Sequence, residues 1–155
     1  MATWLFRGNP RDFDVNAYLK AHRDIPWYVH QQLLIPEIHL GDPVYIWRSD
    51  GGFPGTGGIV AHGILSGPAV IRPDPGFVTW LRKKPSVSIP TVLIRLDDIR
   101  LTPRSGCLLR SDIMQDAILR NLQVISMPSV TNCKLTAVED ARLAQVWEGR
   151  RLRDL

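Results

Sequence analysis

The sequence predicts an α+β fold in which a mostly β first part is followed by helices. The chain has 155 residues, of which 45% are apolar, so it can bury the core of one ordinary domain. Twelve glycines and twelve prolines favour many turns and short elements. Apolar residues alternate along much of the first two-thirds and change to helical spacing in the last third. Because no internal repeat or linker interrupts the chain, we read residues 1–155 as a single domain.

The first elements are a strand, a turn and a short helix. The apolar run Thr3 to Phe6 predicts the strand, and Arg7 to Pro10 is a turn-forming cluster. Asp14 is expected to cap a helix over Val15 to His22, because the apolar residues of that segment fall at i, i+3 and i+4.

A long-looped hairpin follows in the middle of the chain. The β-favouring run Val44 to Trp47 predicts a central strand. The loop Ser49 to Gly58 holds five glycines, and the alternation over Ile59 to Leu65 predicts the returning strand. Further strands are predicted at Ala69 to Arg72, Val87 to Arg95 and Leu96 to Leu101.

Helices are predicted in the last third. The spacing of apolar residues predicts one over Asp112 to Leu122, with Ser111 as its cap. Thr136 to Glu139 matches a capping box, in which the hydroxyl and the carboxylate each accept a hydrogen bond from a free backbone amide. The final helix should therefore begin there and stop at Gly149. Its packing stripe consists of Leu143, Val146 and Trp147.

Charge and hydropathy restrict the partners of this chain. Nineteen Lys and Arg against fifteen Asp and Glu give a net charge of +4, which permits attraction to polyanions. No stretch reaches the roughly 18 apolar residues that a membrane helix needs. The segment Met1 to Asp14 also lacks the apolar core of a signal peptide. We therefore expect a cytoplasmic protein without a membrane partner.

Catalytic and metal-binding patterns are missing from the sequence. Cys107 and Cys133 lack CxxC spacing, so we read both as buried small residues. The adjacent acids Asp97 and Asp98 point to opposite faces of a strand, and we read them as solvated charges. The glycine loop lacks a P-loop ending, and no GxSxG elbow is present. No HxH or HxxxH spacing occurs among His22, His30, His39 and His62. We expect no enzyme activity, metal or cofactor.

Five tryptophans are the remaining unusual feature. Most tryptophans belong to protein cores. Trp27 and Trp80 stand beside a turn or loop, where an indole can instead form the wall of a pocket that stacks a planar ligand such as a nucleobase. Composition alone leaves both interpretations open.

Several segments occur together in an order that is typical of one family. They are Trp4 to Pro10, Pro26 to Val29, Gly41 to Ser49, Gly58 to Gly63 and the closing segment Leu135 to Trp147. In their order and spacing the chain resembles an EVE domain. The resemblance implies a PUA-like α+β fold, a curved β-sheet or barrel of five to six strands with flanking helices.

The resemblance also implies a function. EVE domains are similar to YTH domains, which read a methylated base in an aromatic cage. We therefore expect a nucleic-acid-binding reader that holds a flipped, modified base in an aromatic pocket. The sequence leaves open whether the ligand is DNA or RNA, which base is modified, and whether a separately encoded nuclease is a partner.

The reader hypothesis has two sets of candidate site residues, of which the resemblance implies the first and basic side chains suggest the second. The base-binding pocket would be formed by Asn9, Trp27, Trp47, Arg48, Ser49 and Trp80. The phosphate contacts would be Arg7, Arg82, Lys83 and Lys84.

Purely structural interpretations of the same residues also remain open. Trp47 can equally be a core residue, Asn9 only part of a turn, and Arg48 only a surface charge. The alternative function is a protein interaction module that does not bind nucleic acid directly.

Overall fold

The computed structural model describes residues 1–72, 81–82 and 88–153. Within these residues the strands are β1 (Trp4–Gly8), β2 (Asp24–Tyr28), β3 (Pro43–Arg48), β4 (Gly58–Val70), β5 (Thr91–Ile99), β6 (Leu108–Leu109) and β7 (Asn132–Lys134). They form one sheet in the order β2-β5-β4-β3-β1-β7, with β6 paired to β4. The sheet is mixed, because β1 and β3 run parallel while the other pairs are antiparallel.

Short helices connect and cover the strands. The α-helices are α1 (Val15–Ala21), α2 (Arg110–Met114), α3 (Gln123–Ser126) and α4 (Ala137–Arg153). Short 3₁₀ segments lie at Gln32–Glu37, Pro103–Ser105 and Leu119–Asn121. Within the described part of the chain, no helix combines the length and the apolar character needed to span a bilayer.

The sheet carries an apolar cluster on each face. The parallel register pairs Leu5 with Tyr45 and Phe6 with Ile46, so alternate residues of β1 and β3 belong to opposite faces. We call the two groups the inner and the outer cluster. The inner cluster includes Trp4, Phe6, Phe13, Tyr18, Trp27, Val44 and Ile46. The outer cluster includes Leu5, Tyr45, Trp47, Leu143 and Trp147. Helix α4 packs on the outer face, as predicted from its apolar stripe.

Elements with strong local signals agree with the sequence predictions. The Asp14 carboxylate accepts a hydrogen bond from the backbone N–H of Ala17 at 3.1 Å and caps α1. Strands β3 and β4 form the predicted long-looped hairpin. The capping box of α4 is formed by two bonds between Thr136 and Glu139, of 2.9 and 3.1 Å. Cys107 and Cys133 are both buried, as expected.

Other predicted boundaries are wrong. The helix expected over Asp112 to Leu122 is broken, because Asp116 accepts from the backbone N–H groups of Ile118 and Leu119, each at 3.0 Å. Helix α4 continues through Gly149, which has no positive φ. The strand predicted at Ala69 is instead the end of the long strand β4, and β5 includes Leu96. Val87 lies outside the described residues.

Candidate functional site

The C-terminal ends of β1 and β3 lie next to each other and form one edge of the sheet, which we call the common edge. The two strands are parallel, and Gly8 stands opposite Arg48 in their register. Beyond that pair, the backbone N–H of Ser49 donates to the carbonyl of Gly8 at 2.9 Å. Asn9 and Ser49 therefore leave the sheet side by side, both half-buried.

Asn9 organises the turn that follows β1. Its amide oxygen accepts from the backbone N–H of Arg11 at 3.0 Å, and its carbonyl accepts from that of Asp12 at 2.9 Å. Asn9 is therefore part of a turn, and its place in the base pocket stays a prediction. Because oxygens of Asn9 accept these bonds, its side chain is held at the edge of the sheet.

Trp27 lies beneath this edge in an aromatic group. A Cβ atom added to Gly8 would lie 3.0 Å from Trp27 Cη2, so the indole packs directly on the end of β1. The ring centroids of Phe13 and Tyr18 lie 5.9 and 6.2 Å from that of Trp27. Trp27 exposes 3% of its surface. Burial also raises the pKa of Tyr18 well above its usual range.

Arg48 is a buried cation at the same edge, with 6% of its surface exposed. Its Nη1 donates to Asn16 Oδ1 at 2.8 Å and to the carbonyl of Leu101 at 2.9 Å. Its Nη2 and Nε donate to the carbonyl of Thr56 at 2.8 and 3.2 Å. Burial lowers the pKa of Arg48. Among the described residues no carboxylate forms an ion pair with it. The surface interpretation of Arg48 is wrong.

The glycine loop between β3 and β4 is held by hydrogen bonds that the side chain and the backbone carbonyl of Asp50 accept. Asp50 Oδ1 accepts from the backbone N–H of Gly57 at 2.7 Å, and its carbonyl accepts from that of Phe53 at 2.8 Å. Gly51 has φ +55°, and a Cβ there would lie 2.6 Å from Pro10. A residue with a side chain would therefore be strained at this position, and the loop packs tightly on the turn after β1.

A cleft of about 530 Å³ opens between the glycine loop, α1 and the segment after β5. Pro10, Asn16 and Leu101 lie on its walls. Arg48 and Arg82 bring two guanidinium groups to it. The Arg82 side chain also donates to the carbonyl of Pro10. The cleft thus shares the Asn9–Pro10 turn with the edge above Trp27.

The structure brings together half of the predicted site residues. Those at the common edge are Asn9, Trp27, Arg48, Ser49 and Arg82. Trp47 does not join them, because it is buried in the outer cluster on the opposite face from Trp27. The core interpretation of Trp47 therefore describes its position. Arg7 pairs in register with Trp47 and is half-buried. Trp80, Lys83 and Lys84 lie outside the described residues.

Phe53 and Asn16 are cleft residues that the sequence analysis did not identify as site residues. Phe53 had a usable signal, since an aromatic residue inside a glycine-rich loop has little local core to pack against. Asn16 had none, because its role depends on Arg48, which lies 32 residues away. Among the described residues, no group of three or more His, Cys, Asp or Glu is arranged to hold a metal ion.

The sheet and its helices define the class of fold. A curled, mixed half-barrel sheet with a few helices is a PUA-like α+β fold, as the sequence predicted. No protein-family model and no curated protein sequence matches the chain.

Solved structures then give particular relatives of this fold. A hypothetical protein from Leishmania major matches with a TM-score of 0.74 and 14% identity, over 97% of each chain. Human THYN1 protein, solved with DNA containing 5-methylcytosine, matches with a TM-score of 0.70 and 12% identity, over 96% of this chain and 98% of that chain. The Mmi1 YTH domain, solved with RNA, matches with a TM-score of 0.58 and 10% identity, over 99% and 82%. At these identities the likeness establishes the fold.

Proposed function

We propose that this protein, as a single EVE-like domain, binds nucleic acid and holds a flipped, modified base at the common edge of β1 and β3. The observation that carries the proposal is the buried guanidinium of Arg48. It has no carboxylate partner among the described residues and lies at the common edge. A cation kept in this way favours an anionic ligand. The DNA and RNA held by two proteins of the same fold support this choice of anion.

The base pocket would be formed by Asn9, Trp27 and Ser49. Removing a base from its stack costs a few kcal/mol, and stacking on an aromatic ring returns about 1 to 3 kcal/mol per base. Since Trp27 is buried, a base reaches the indole only after neighbouring side chains move apart. That opening lowers the affinity for every base alike. Discrimination therefore has to come from contacts to the modification itself, where one fully buried methyl contributes about 0.8 kcal/mol.

Phosphate contacts would come from Arg82, Lys83, Lys84 and Arg7. Arg82 is exposed beside the cleft, whereas Arg7 is half-buried and burial lowers its pKa. Such contacts position the strand and carry no sequence information. The proposed role is binding, and we assign no catalytic step to these residues.

The test is a binding panel of short single and double strands, made as DNA and as RNA. The strands carry 5-methylcytosine, 5-hydroxymethylcytosine, N6-methyladenine or no modification, and each is measured at two salt concentrations. We expect one modified strand to bind best and its affinity to fall steeply with salt. Equal and salt-insensitive affinities across the panel would contradict the proposal.

Substitution of Trp27 tests the pocket. Trp27→Ala removes a buried indole, which costs about 3 to 5 kcal/mol and confuses binding with folding. Trp27→Phe keeps a ring but shrinks the stacking face, so we expect the folded protein to bind every strand of the panel about threefold to tenfold more weakly. Trp4→Phe is the matched control, because Trp4 is also buried in the inner cluster. It should lower stability and leave the affinities of the folded protein unchanged.

The alternative is a protein interaction module. The observation in its favour is Leu33, which is 95% exposed on the 3₁₀ turn Gln32–Glu37. Leu33 lines a groove of about 560 Å³ with Val130 and Asn132. An apolar protein interface responds weakly to salt, so the same salt series separates this function from the reader.

A further inference from the structure

Phe53 is an aromatic side chain presented to solvent by a well-anchored loop. It is 64% exposed, whereas Trp27 and Trp47 are buried. Its carbonyl accepts from Thr56 Oγ1 at 2.6 Å and from the backbone N–H of Thr56. The carbonyl of Thr56 in turn accepts two bonds from Arg48. The backbone that carries the phenyl ring is thus tied to the buried cation, which reduces the entropy that a bound ligand would have to overcome.

The cleft beside Phe53 has the size and charge of a nucleotide site. Its volume of about 530 Å³ lies within the range of roughly 300 to 1,000 Å³ typical of small-molecule pockets. Phe53 and Leu101 give it apolar walls, while Arg48 and Arg82 give it two cations. Asp14 is the carboxylate on its lining, and that group is engaged as the cap of α1.

Four of the five N–H groups of Arg48 are used by protein oxygens. The second N–H of Nη2 has no partner among the described residues. All the acceptors of Arg48 are neutral oxygens of Asn16, Thr56 and Leu101, so its positive charge is oriented but not neutralised. A phosphate oxygen in the cleft would supply the missing negative charge.

We propose that Phe53 and this cleft form a subsite for the nucleotide that neighbours the flipped base on the same strand. The inference rests on the proposed function. When one base leaves the stack, its neighbour loses a stacking partner. The ring of Phe53 replaces that partner, and the phosphate between the two nucleotides faces Arg48 and Arg82. Because the cleft and the edge above Trp27 share the Asn9–Pro10 turn, two adjacent nucleotides of one strand occupy them together.

A double substitution cycle tests the subsite. The probes are five-nucleotide single strands, made as DNA and as RNA, with 5-methylcytosine or N6-methyladenine at the centre. Matched probes carry an abasic site on the 5′ or the 3′ side of the centre. Phe53→Ala should weaken binding of a complete strand by about 5- to 150-fold, the range that aromatic stacking provides. It should have almost no effect on the strand that lacks the relevant neighbouring base.

Two further variants separate stacking from general effects. Phe53→Trp keeps an aromatic face and should bind at least as tightly as the parent protein. Leu40→Ala is the matched control, since it removes an exposed apolar side chain just before β3, at the end of that strand opposite Arg48, and should change nothing. Because Phe53 is exposed, Phe53→Ala should unfold at the same denaturant concentration as the parent.

A spectroscopic measurement gives an independent readout. The fluorescence of 2-aminopurine at the neighbouring position falls when that base stacks, so binding should quench it in the parent protein and less in Phe53→Ala. If the protein binds the probes but Phe53→Ala acts equally on complete and abasic strands, the subsite is wrong and the reader function stands. If the parent protein binds none of the probes or the panel strands, both proposals fail together.

Discussion

Two buried arginines lie in different surroundings in this fold. Arg100 is 2% exposed, and its Nε and Nη2 donate to the carboxylate of Asp98 at 3.1 and 2.8 Å. Its Nη1 donates to the carbonyl of Trp147 at 2.7 Å, and its Cζ lies 3.8 Å from the centroid of that indole. Arg48 is nearly as buried but is surrounded by neutral oxygens.

The difference is the basis for proposing a functional role for Arg48 and a structural role for Arg100. Arg100 joins the end of β5 to α4, and each part of its guanidinium has a partner of matching charge or geometry. Keeping Arg48 charged in its pocket costs desolvation that no carboxylate of the described residues offsets. A charge of this kind is expected where a ligand provides the counter-charge, which is why the candidate site is placed at Arg48 and not at Arg100.

The largest effect is expected from Arg100→Met. The variant removes the ion pair with Asp98, the bond to Trp147 and the contact with its indole. We expect the free energy of unfolding to fall by about 3 kcal/mol, as for other buried ion pairs that lose one partner. Denaturant unfolding measures the loss. The affinity of the folded fraction for the best strand of the panel should stay within about twofold, and a larger change would show that the comparison is wrong.

A smaller loss of stability and a larger loss of binding are expected from Arg48→Met. The carbonyls of Thr56 and Leu101 lose a donor, but the desolvation of the charge is also relieved. We therefore expect about 1 kcal/mol of destabilisation. Affinity should fall about tenfold, since a charge-assisted hydrogen bond to phosphate is lost. The slope of log affinity against log salt should decrease by about 0.7 for a single strand. An unchanged slope would make Arg48 a second structural arginine.

The sequence predicted the parts of the fold that have local causes. The caps Asp14 and Thr136 and the hairpin around the glycine loop depend on neighbouring residues, and all three are confirmed. Strands β2, β6 and β7 were not predicted, because the short segments that form them are recognisable only from their pairing partners. The break at Asp116 was also missed, since the carboxylate competes with an otherwise regular helical pattern.

The candidate site was harder to predict for a related reason. Val44 to Trp47 is apolar throughout because both faces of β3 are buried, so the alternation that would show the direction of Trp47 is absent. The sequence does not distinguish a pocket residue from a surface charge at Arg48. Its burial depends on Asn16 and Leu101, which lie 32 and 53 residues away. Asp98 was read as a solvated charge, but it is half-buried and pairs with Arg100.

The smallest effect is expected from Arg48→Lys. This variant tests whether ligand binding depends on the positive charge or on the planar geometry of the guanidinium. An ammonium keeps the positive charge but has three donors in place of the planar fork, so it cannot serve Asn16, Thr56 and Leu101 as Arg48 does. If the charge is the functional feature, Arg48→Lys should recover most of the affinity lost in Arg48→Met, to within about threefold of the parent, and should keep the parent salt slope. Arg100→Lys is the matched control and should recover little stability, because the paired bonds to Asp98 and the stacking on Trp147 require the guanidinium. If lysine restored the affinity at position 48 and the stability at position 100 equally well, the proposed difference between the two arginines would be wrong.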